Sequence, residues 1–212
     1  MPVSPLIMKL PMNITLHILS GRMLWKSLVL SFISFVSLNG YAQQSSIQTL
    51  KLNEIGTGKE LAFSDFKSKK AIVVIFFCND CPYSTFYTER LKNLKKEYVD
   101  FQFLLINSSN AEFAPEESVA SMSEFLKKNK MDIPYLIDKE KTAMKSFDAK
   151  RCPEVFVVTP TDWKVVYKGA IDNNPQVADD VSEFYLKNAL DLIAKGSGVS
   201  TNNVRATGCI IK

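Results

Sequence analysis

Apolar positions recur along the chain in two distinct rhythms. Ala71–Phe77 (AIVVIFF) is an unbroken apolar run rich in β-branched and aromatic residues, the pattern of a strand covered on both faces. Phe101–Ile106 (FQFLLI) predicts a second such strand. Between them, Pro82–Tyr98 carries apolar residues at 83, 87, 91, 94 and 98. That is helical spacing, and Pro82 suits a first turn. Glu116–Lys128 predicts a second helix with Val119, Met122, Phe125 and Leu126 on one face. Pro134–Ile137 reads as a short extended piece and Lys139–Phe147 as a short helix. Upstream, residues 43–70 are polar with apolar alternation at Ile47, Leu50, Leu52 and Ile55. They predict an entry strand or hairpin and a helical turn near Ser64-Asp65-Phe66.

The rhythm changes after Cys152-Pro153. Val155–Val158 and Lys164–Lys168 flank the turn sequence Thr159-Pro160-Thr161-Asp162 and predict an antiparallel hairpin. Val181–Ala194 predicts a last helix, ended by Gly196-Ser197-Gly198. Strand–helix–strand–helix followed by strand–strand–helix implies an α/β fold, a central mixed sheet with helices on both faces. The domain is expected over 43–198, with a polar tail over 199–212 that contains Cys209.

Residues 1–42 stand apart. They hold Lys9, Arg22 and Lys26, no acid, and the uncharged run Leu28–Leu38, followed by Gly40-Tyr41-Ala42. A basic stretch, a short apolar core and a small-x-small site describe a signal peptide over 1–42. The apolar run is about half of the roughly 20 residues a membrane span needs. A leader starting at Met23 has the ordinary length, which makes Met23 the expected start. The alternative is an uncleaved anchor. No cysteine adjoins the cleavage site, so a lipidated N-terminus is not supported. The mature protein is expected outside the cytoplasm, in the periplasm, meeting the membrane only during export.

Composition then narrows the chemistry. The chain has 212 residues, 46% hydrophobic and 23% charged, ordinary for a globular domain that needs no cysteine staples. Its net charge of +4 owes three charges to the leader, so no nucleic-acid partner is implied. His17, the one histidine, lies in the leader as well. The mature chain therefore has no imidazole, which excludes Ser-His-Asp triads, Cys-His dyads and His-ligated zinc.

Cys78 and Cys81 sit at a strand-to-helix junction. A thiol there faces unsatisfied backbone N–H groups and the positive end of the helix dipole, which favour the thiolate. Cys78 is expected to attack and Cys81 to resolve, through a mixed disulfide with a partner. Asp80 opposes part of the acidification, so a moderate potential is expected. The competing readings are an inert disulfide and a zinc pair. Zinc needs a second closely spaced pair, which Cys152 and Cys209 do not form. Cys152-Pro153 is either a tight cis turn or an ordinary trans turn with a buried cysteine. No cofactor is expected.

Seven blocks, in order, carry a resemblance. They are Phe77-Cys78-Asn79-Asp80-Cys81-Pro82-Tyr83, Glu89-Arg90-Leu91, Ile106-Asn107, Pro134-Tyr135-Leu136-Ile137-Asp138, Pro153-Glu154-Val155-Phe156, Tyr167-Lys168-Gly169-Ala170-Ile171-Asp172-Asn173-Asn174 and Gly208-Cys209-Ile210-Ile211-Lys212. Together they resemble the peroxiredoxin-like branch of the thioredoxin superfamily, the redoxin or alkyl hydroperoxide reductase/thiol-specific antioxidant group. The resemblance runs from about residue 48 to 212. It implies a thioredoxin-like fold, Cys78 as nucleophile and Pro153 as the cis-proline that faces it. Cys152 then stands close to Cys78, as an alternative resolving thiol, and the adjacent backbone is free to pair with an incoming peptide. The role of Cys209 stays open between pairing with Cys152, pairing between chains and remaining reduced.

Two features of the family are missing. Peroxidatic cysteines follow Pro-x-x-x-Thr/Ser-x-x-Cys, but Val74 and Cys78 hold those places before Cys81, and Ala71 and Ile75 before Cys78. Arg90 is a candidate positive charge or a solvated helix residue. The buried acid that thioredoxins place six residues before the first cysteine is Ile72 here. Glu154 is the nearest substitute, against a plain surface carboxylate. Asp172-Asn173-Asn174-Pro175 reads as a loop, weak as a cation site. The leading expectation is thus an envelope thiol–disulfide oxidoreductase acting on protein or small-molecule thiols and disulfides, with an upstream electron donor or acceptor. The alternatives are a thiol peroxidase with an antioxidant role and a non-enzymatic Cu(I) or Zn(II) carrier using Cys78, Cys81 and Cys152.

Overall fold

The computed structural model describes residues 46–109, 112, 114–199 and 203–212. The expected leader over 1–42 lies outside the described residues. Among those described, no helix is long and apolar enough to cross a membrane.

The two apolar runs form the centre. Strand β1 is Lys51–Glu54, β2 Glu60–Ala62, β3 Ile72–Phe76, β4 Gln102–Asn107 and β5 Tyr135–Ile137. The hairpin follows as β7, Glu154–Thr159, and β8, Lys164–Gly169, with a register shift between Val157 and Val158. Sheet order is β2-β1-β5-β4-β3-β7-β8-β9, where β9 is Asn203–Val204. Strands β3, β4 and β5 run parallel, and β7 joins β3 antiparallel. This is the mixed sheet of a thioredoxin-like fold.

Every residue of β3 is buried, because alternate side chains feed two cores. Val73, Ile75 and Phe77 meet Phe103, Leu105, Val155 and Val157 on one face. Helices α2 (Thr88–Glu97), α3 (Val119–Asn129) and α5 (Tyr185–Ala194) cover that face through Leu91, Met122, Leu186 and Leu190. On the other face Ile72, Val74 and Phe76 meet Leu104, Ile106, Phe156 and Val158 under Phe63 and helix α4 (Thr142–Phe147). Each such Val, Leu, Ile or Phe contributes about 1.5–3 kcal/mol of transfer free energy.

Four helices differ from the expected bounds, one of them simply by starting at Thr142 instead of Lys139. The helix predicted over Pro82–Tyr98 is two pieces, α1 (Pro82–Phe86) and α2, broken at Tyr87. The Tyr87 N–H turns to Ser84, three residues back, and its hydroxyl is tied to Asp172 at 2.7 Å. Helix α3 begins at Val119 rather than Glu116, because Ser118 caps it by accepting the Ser121 N–H. Pro115–Glu117 forms a separate 3₁₀ turn. Helix α5 begins at Tyr185 rather than Val181, since the Asn173 side chain accepts the N–H groups of Ser182 and Glu183 and holds that segment extended.

The tail departs furthest from its expected polar character. Its strand β10 (Cys209–Ile210) pairs antiparallel with β6 (Arg151–Cys152), putting Cys209 opposite Cys152. Ile211 is buried and its N–H donates to the Lys150 carbonyl at 3.1 Å. Gly208 is required there: an added Cβ would lie 2.7 Å from the Cys152 carbonyl carbon.

Candidate active site

The site lies where β3 ends. Phe77 leaves the sheet with its N–H bonded to Ile106, and Cys78–Cys81 turns before Pro82 opens α1. The Cys152–Pro153 peptide bond is cis, between β6 and β7. Chain topology thus brings three separate segments to one place: the Cys78 loop, the Cys152-Pro153 loop and the tail.

All four cysteines meet there. Cys78 is bonded to Cys152 and Cys81 to Cys209, with Cα separations of 5.8 and 6.0 Å. The pairing differs from the expected Cys78–Cys81 bond. Cys152 takes the partner's place at Cys78, and Cys209 neither bonds Cys152, nor pairs between chains, nor stays reduced, but is bonded to Cys81. The physical reason is the tail. By pairing with β6 it carries a fourth sulfur to the same spot as the other three.

Burial divides the four unevenly. Cys78 is 5% exposed, Cys81 1% and Cys152 1%, whereas Cys209 is half-buried. The four border a cavity of about 220 Å³ together with Asp80, Ser109, Glu117 and Lys212. The Ser109 hydroxyl lies 3.2 Å from Cys78 Sγ and donates to it in this disulfide form. Cys81 Sγ lies 3.0 Å from the Cys152 carbonyl oxygen, an acceptor once that sulfur carries a proton.

The Cys78 loop is held from below by a polar web. Glu117, 2% exposed, accepts the N–H of Asn79 at 2.9 Å, the N–H of Asp80 at 2.8 Å and the Asn107 amide at 2.6 Å. The Tyr135 hydroxyl, fully buried, faces the Phe77 carbonyl and the Asn79 side-chain oxygen, each at 3.1 Å. Burial, reinforced by the charge of Glu117, raises the Tyr135 phenol well above its ordinary value, so it stays a donor. Asn107 also accepts the Ser109 N–H at 2.9 Å, which sets the serine against Cys78.

Glu117 and Ser109 were not singled out by the sequence. A signal for Glu117 existed in Pro115 and Ser118, which mark a turn and a cap and place the glutamate outside the helix. Ser109 had none, because its position depends on where β4 stops.

The structure does not bring Glu154 to the sulfurs. Its carboxylate accepts the Lys150 N–H at 2.7 Å and the Arg151 N–H at 3.2 Å, bracing the turn before Pro153. It is buried, not the surface carboxylate of the competing reading. Arg90 is likewise remote from the sulfur cavity. It pairs with Asp172 at 2.6 Å and donates to the carbonyls of Asn174 and Pro175. Asp172 is thereby occupied by Arg90 and Tyr87, which leaves its loop a structural corner. Among the described residues, no group of three or more His, Cys, Asp or Glu side chains is arranged to hold a metal ion.

A mixed sheet ending in a cis-proline loop opposite clustered cysteines defines a thioredoxin-fold redox protein. The redoxin family profile matches residues 42–185, and the chain belongs to that family. Among solved structures, a hypothetical protein from Sinorhizobium meliloti 1021 is 29% identical, with a TM-score of 0.71 over 78% of this chain and 91% of that one. An uncharacterized conserved protein from Geobacillus kaustophilus is 30% identical, with a TM-score of 0.71 over 78% of this chain and 89% of that one. A thioredoxin-like protein from Aeropyrum pernix, 11% identical over 78% of this chain and 99% of that one, shares the fold at a TM-score of 0.54. No curated protein sequence matches the chain. A redox role follows from the family, and proteins of this fold act generally on thiols and disulfides.

Proposed function

We propose that the chain is a thiol–disulfide oxidoreductase, exported by a 1–42 leader that is then removed, in which Cys78 is the exchanging nucleophile. The observation that carries this reading is the Cys78–Cys152 disulfide, closed between the end of β3 and the residue preceding the cis-proline. When that bond is reduced, Cys78 emerges at a strand-to-helix junction with Ser109 as a hydrogen-bond partner. Its thiolate attacks a partner disulfide, and a neighbouring thiol resolves the mixed disulfide. Cys152 and Cys81 both lie within the cavity for that second step. Pro153 fixes the loop that presents Cys152, while Glu154 holds that loop by its N–H groups rather than moving a proton. Substrates are protein or small-molecule thiols and disulfides, and an upstream electron donor or acceptor returns the protein to its starting redox state.

Reduction of insulin in the presence of dithiothreitol tests this. Cys78→Ser is expected to bring the rate to that of dithiothreitol alone. A rate equal to wild type would overturn the assignment.

Peroxide reduction is kept as a second reading on one observation. Ser109 supplies, from the end of β4, the hydroxyl that the residues before either cysteine lack. It predicts sulfenic acid on Cys78 within seconds of adding hydrogen peroxide to the reduced protein. Oxidation no faster than that of a free thiol would dismiss it. A copper or zinc carrier applies only to the reduced protein, because sulfur engaged in a disulfide offers no thiolate.

A further inference from the structure

We propose that Cys209 is a fourth redox-active position, the point at which reducing electrons enter the oxidised protein, and that Cys81 passes them to the Cys78–Cys152 bond. The proposal rests on the reading of Cys78 as the exchanging nucleophile.

Accessibility carries it. Thiol–disulfide exchange requires a thiolate to approach one sulfur of the bond, so an enclosed disulfide reacts slowly whatever its potential. Three of the four cysteines are enclosed, at 5% exposure or less. Cys209, half-buried, is the most exposed of the four. The bond most open to an outside thiolate is therefore Cys81–Cys209, attacked at Cys209.

The rest of the tail is built to keep Cys209 in place. Strand β10 is paired with β6, Ile211 is buried, and Arg151 donates from Nη1 to the Gly208 carbonyl at 2.9 Å. The tail also covers the backbone of Arg151–Cys152, the edge that an incoming peptide was expected to use. In this form an extended peptide is excluded from that edge, and attack through the tail is the open route.

The electron donor is a dithiol, either a reduced protein or a small molecule with two neighbouring thiols. Its thiolate attacks Cys209 Sγ, breaking the bond to Cys81 and releasing Cys81 as a thiolate. The donor's second thiol attacks the mixed disulfide, leaving as a closed donor disulfide, and Cys209 takes up a proton. The Cys81 thiolate attacks Cys78 Sγ. The Cys78–Cys152 bond breaks, a Cys78–Cys81 bond forms, and Cys152 leaves and takes up a proton. The donor has lost two electrons and two protons, and the protein has gained thiols at 152 and 209. The Cys-x-x-Cys bond expected from the sequence is the product of this handover.

The test is stoichiometric reduction of the oxidised, full-length protein with one equivalent of dithiothreitol. Acid quench, N-ethylmaleimide alkylation and peptide mass spectrometry then locate the thiols. The expected products are alkylated Cys152 and Cys209 with a Cys78–Cys81 disulfide. Alkylated Cys78 and Cys152 with Cys81–Cys209 intact would overturn entry at the tail. Alkylated Cys81 and Cys209 with Cys78–Cys152 intact would overturn the handover. Insulin reduction by Cys78→Ser keeps the two proposals separate. If that variant is inactive while Cys81–Cys209 resists the first equivalent, the function stands and the entry point falls. If that variant is fully active, the function itself falls.

Discussion

Two buried carboxylates, Glu117 and Asp172, anchor this protein in contrasting ways. Glu117 accepts only uncharged donors, the N–H groups of Asn79 and Asp80 and the amide of Asn107. Asp172 accepts a guanidinium from Arg90 and a phenol from Tyr87. The first stands beside the sulfurs with its charge unpaired by any cation among those contacts. The second is neutralised and lies away from them. An unpaired charge acts on whatever titrates nearby, whereas a paired one mainly holds chain segments together. Glu117 is thus placed to set the acidity of Cys78, and Asp172 to hold α1 and α2 to the loop after β8.

The largest effect expected from this contrast is on stability, at Arg90. Arg90→Met leaves the Asp172 carboxylate, 5% exposed, without its cation. Stranding one member of a buried pair costs about 3–5 kcal/mol. Urea denaturation reads the loss, and insulin reduction per folded molecule should be unchanged. A cost under about 1 kcal/mol would mean that the pair holds nothing.

A smaller effect on stability, but a specific one on chemistry, is expected at Glu117. Glu117→Gln keeps one acceptor for the loop N–H groups and removes the charge. Stability should fall by about 1–2 kcal/mol. The reduced Cys78 thiol should become more acidic, because a nearby negative charge that disfavours the thiolate is gone. The rate of iodoacetamide alkylation against pH reads that shift. An unmoved midpoint, in a variant that remains folded, would show that the glutamate merely braces the loop. Tyr87→Phe is the control on the other anchor. It loses one hydrogen bond, about 1 kcal/mol, and should leave the alkylation profile where it was.

The part of this arrangement that the sequence discloses is the part built from runs and periods. Ala71–Phe77 and Phe101–Ile106 announce strands because both faces are apolar, and Cys78 follows directly from where the first one ends. The motif blocks placed Pro153 opposite Cys78, and its cis bond is in the structure. The sulfur pairing was hidden because it depends on Gly208-Cys209-Ile210, a segment too short to read as a strand. Its pairing with Arg151–Cys152 spans more than 50 residues, and no local pattern records it. Glu117 was hidden for a different reason. Apolar spacing from Val119 onward extends a helix backwards through it, and only the Ser118 cap stops that helix short.

The contrast can be sharpened at the surface, where the same kind of ion pair is cheap to break. Lys95 and Asp132 pair with side chains 31% and 65% exposed. The hydrogen bond from Lys95, ahead of its charge, holds the Asp132 carboxyl below its ordinary value of 3.8. A carboxyl depressed in the folded state contributes stability above its unfolded value and loses it as pH falls through the folded one. At this exposure the contribution is about 0.2–1 kcal/mol. Asp132→Asn should therefore cost that amount at pH 7. The difference from wild type should shrink as the pH is lowered below 3.8, and 1 M salt should shrink it as well. Urea midpoints at several pH values read it. A cost above about 2 kcal/mol, or one independent of pH, would mean that exposure does not separate this pair from Arg90–Asp172. Desolvation, on which the ranking of all four substitutions depends, would then be the wrong variable.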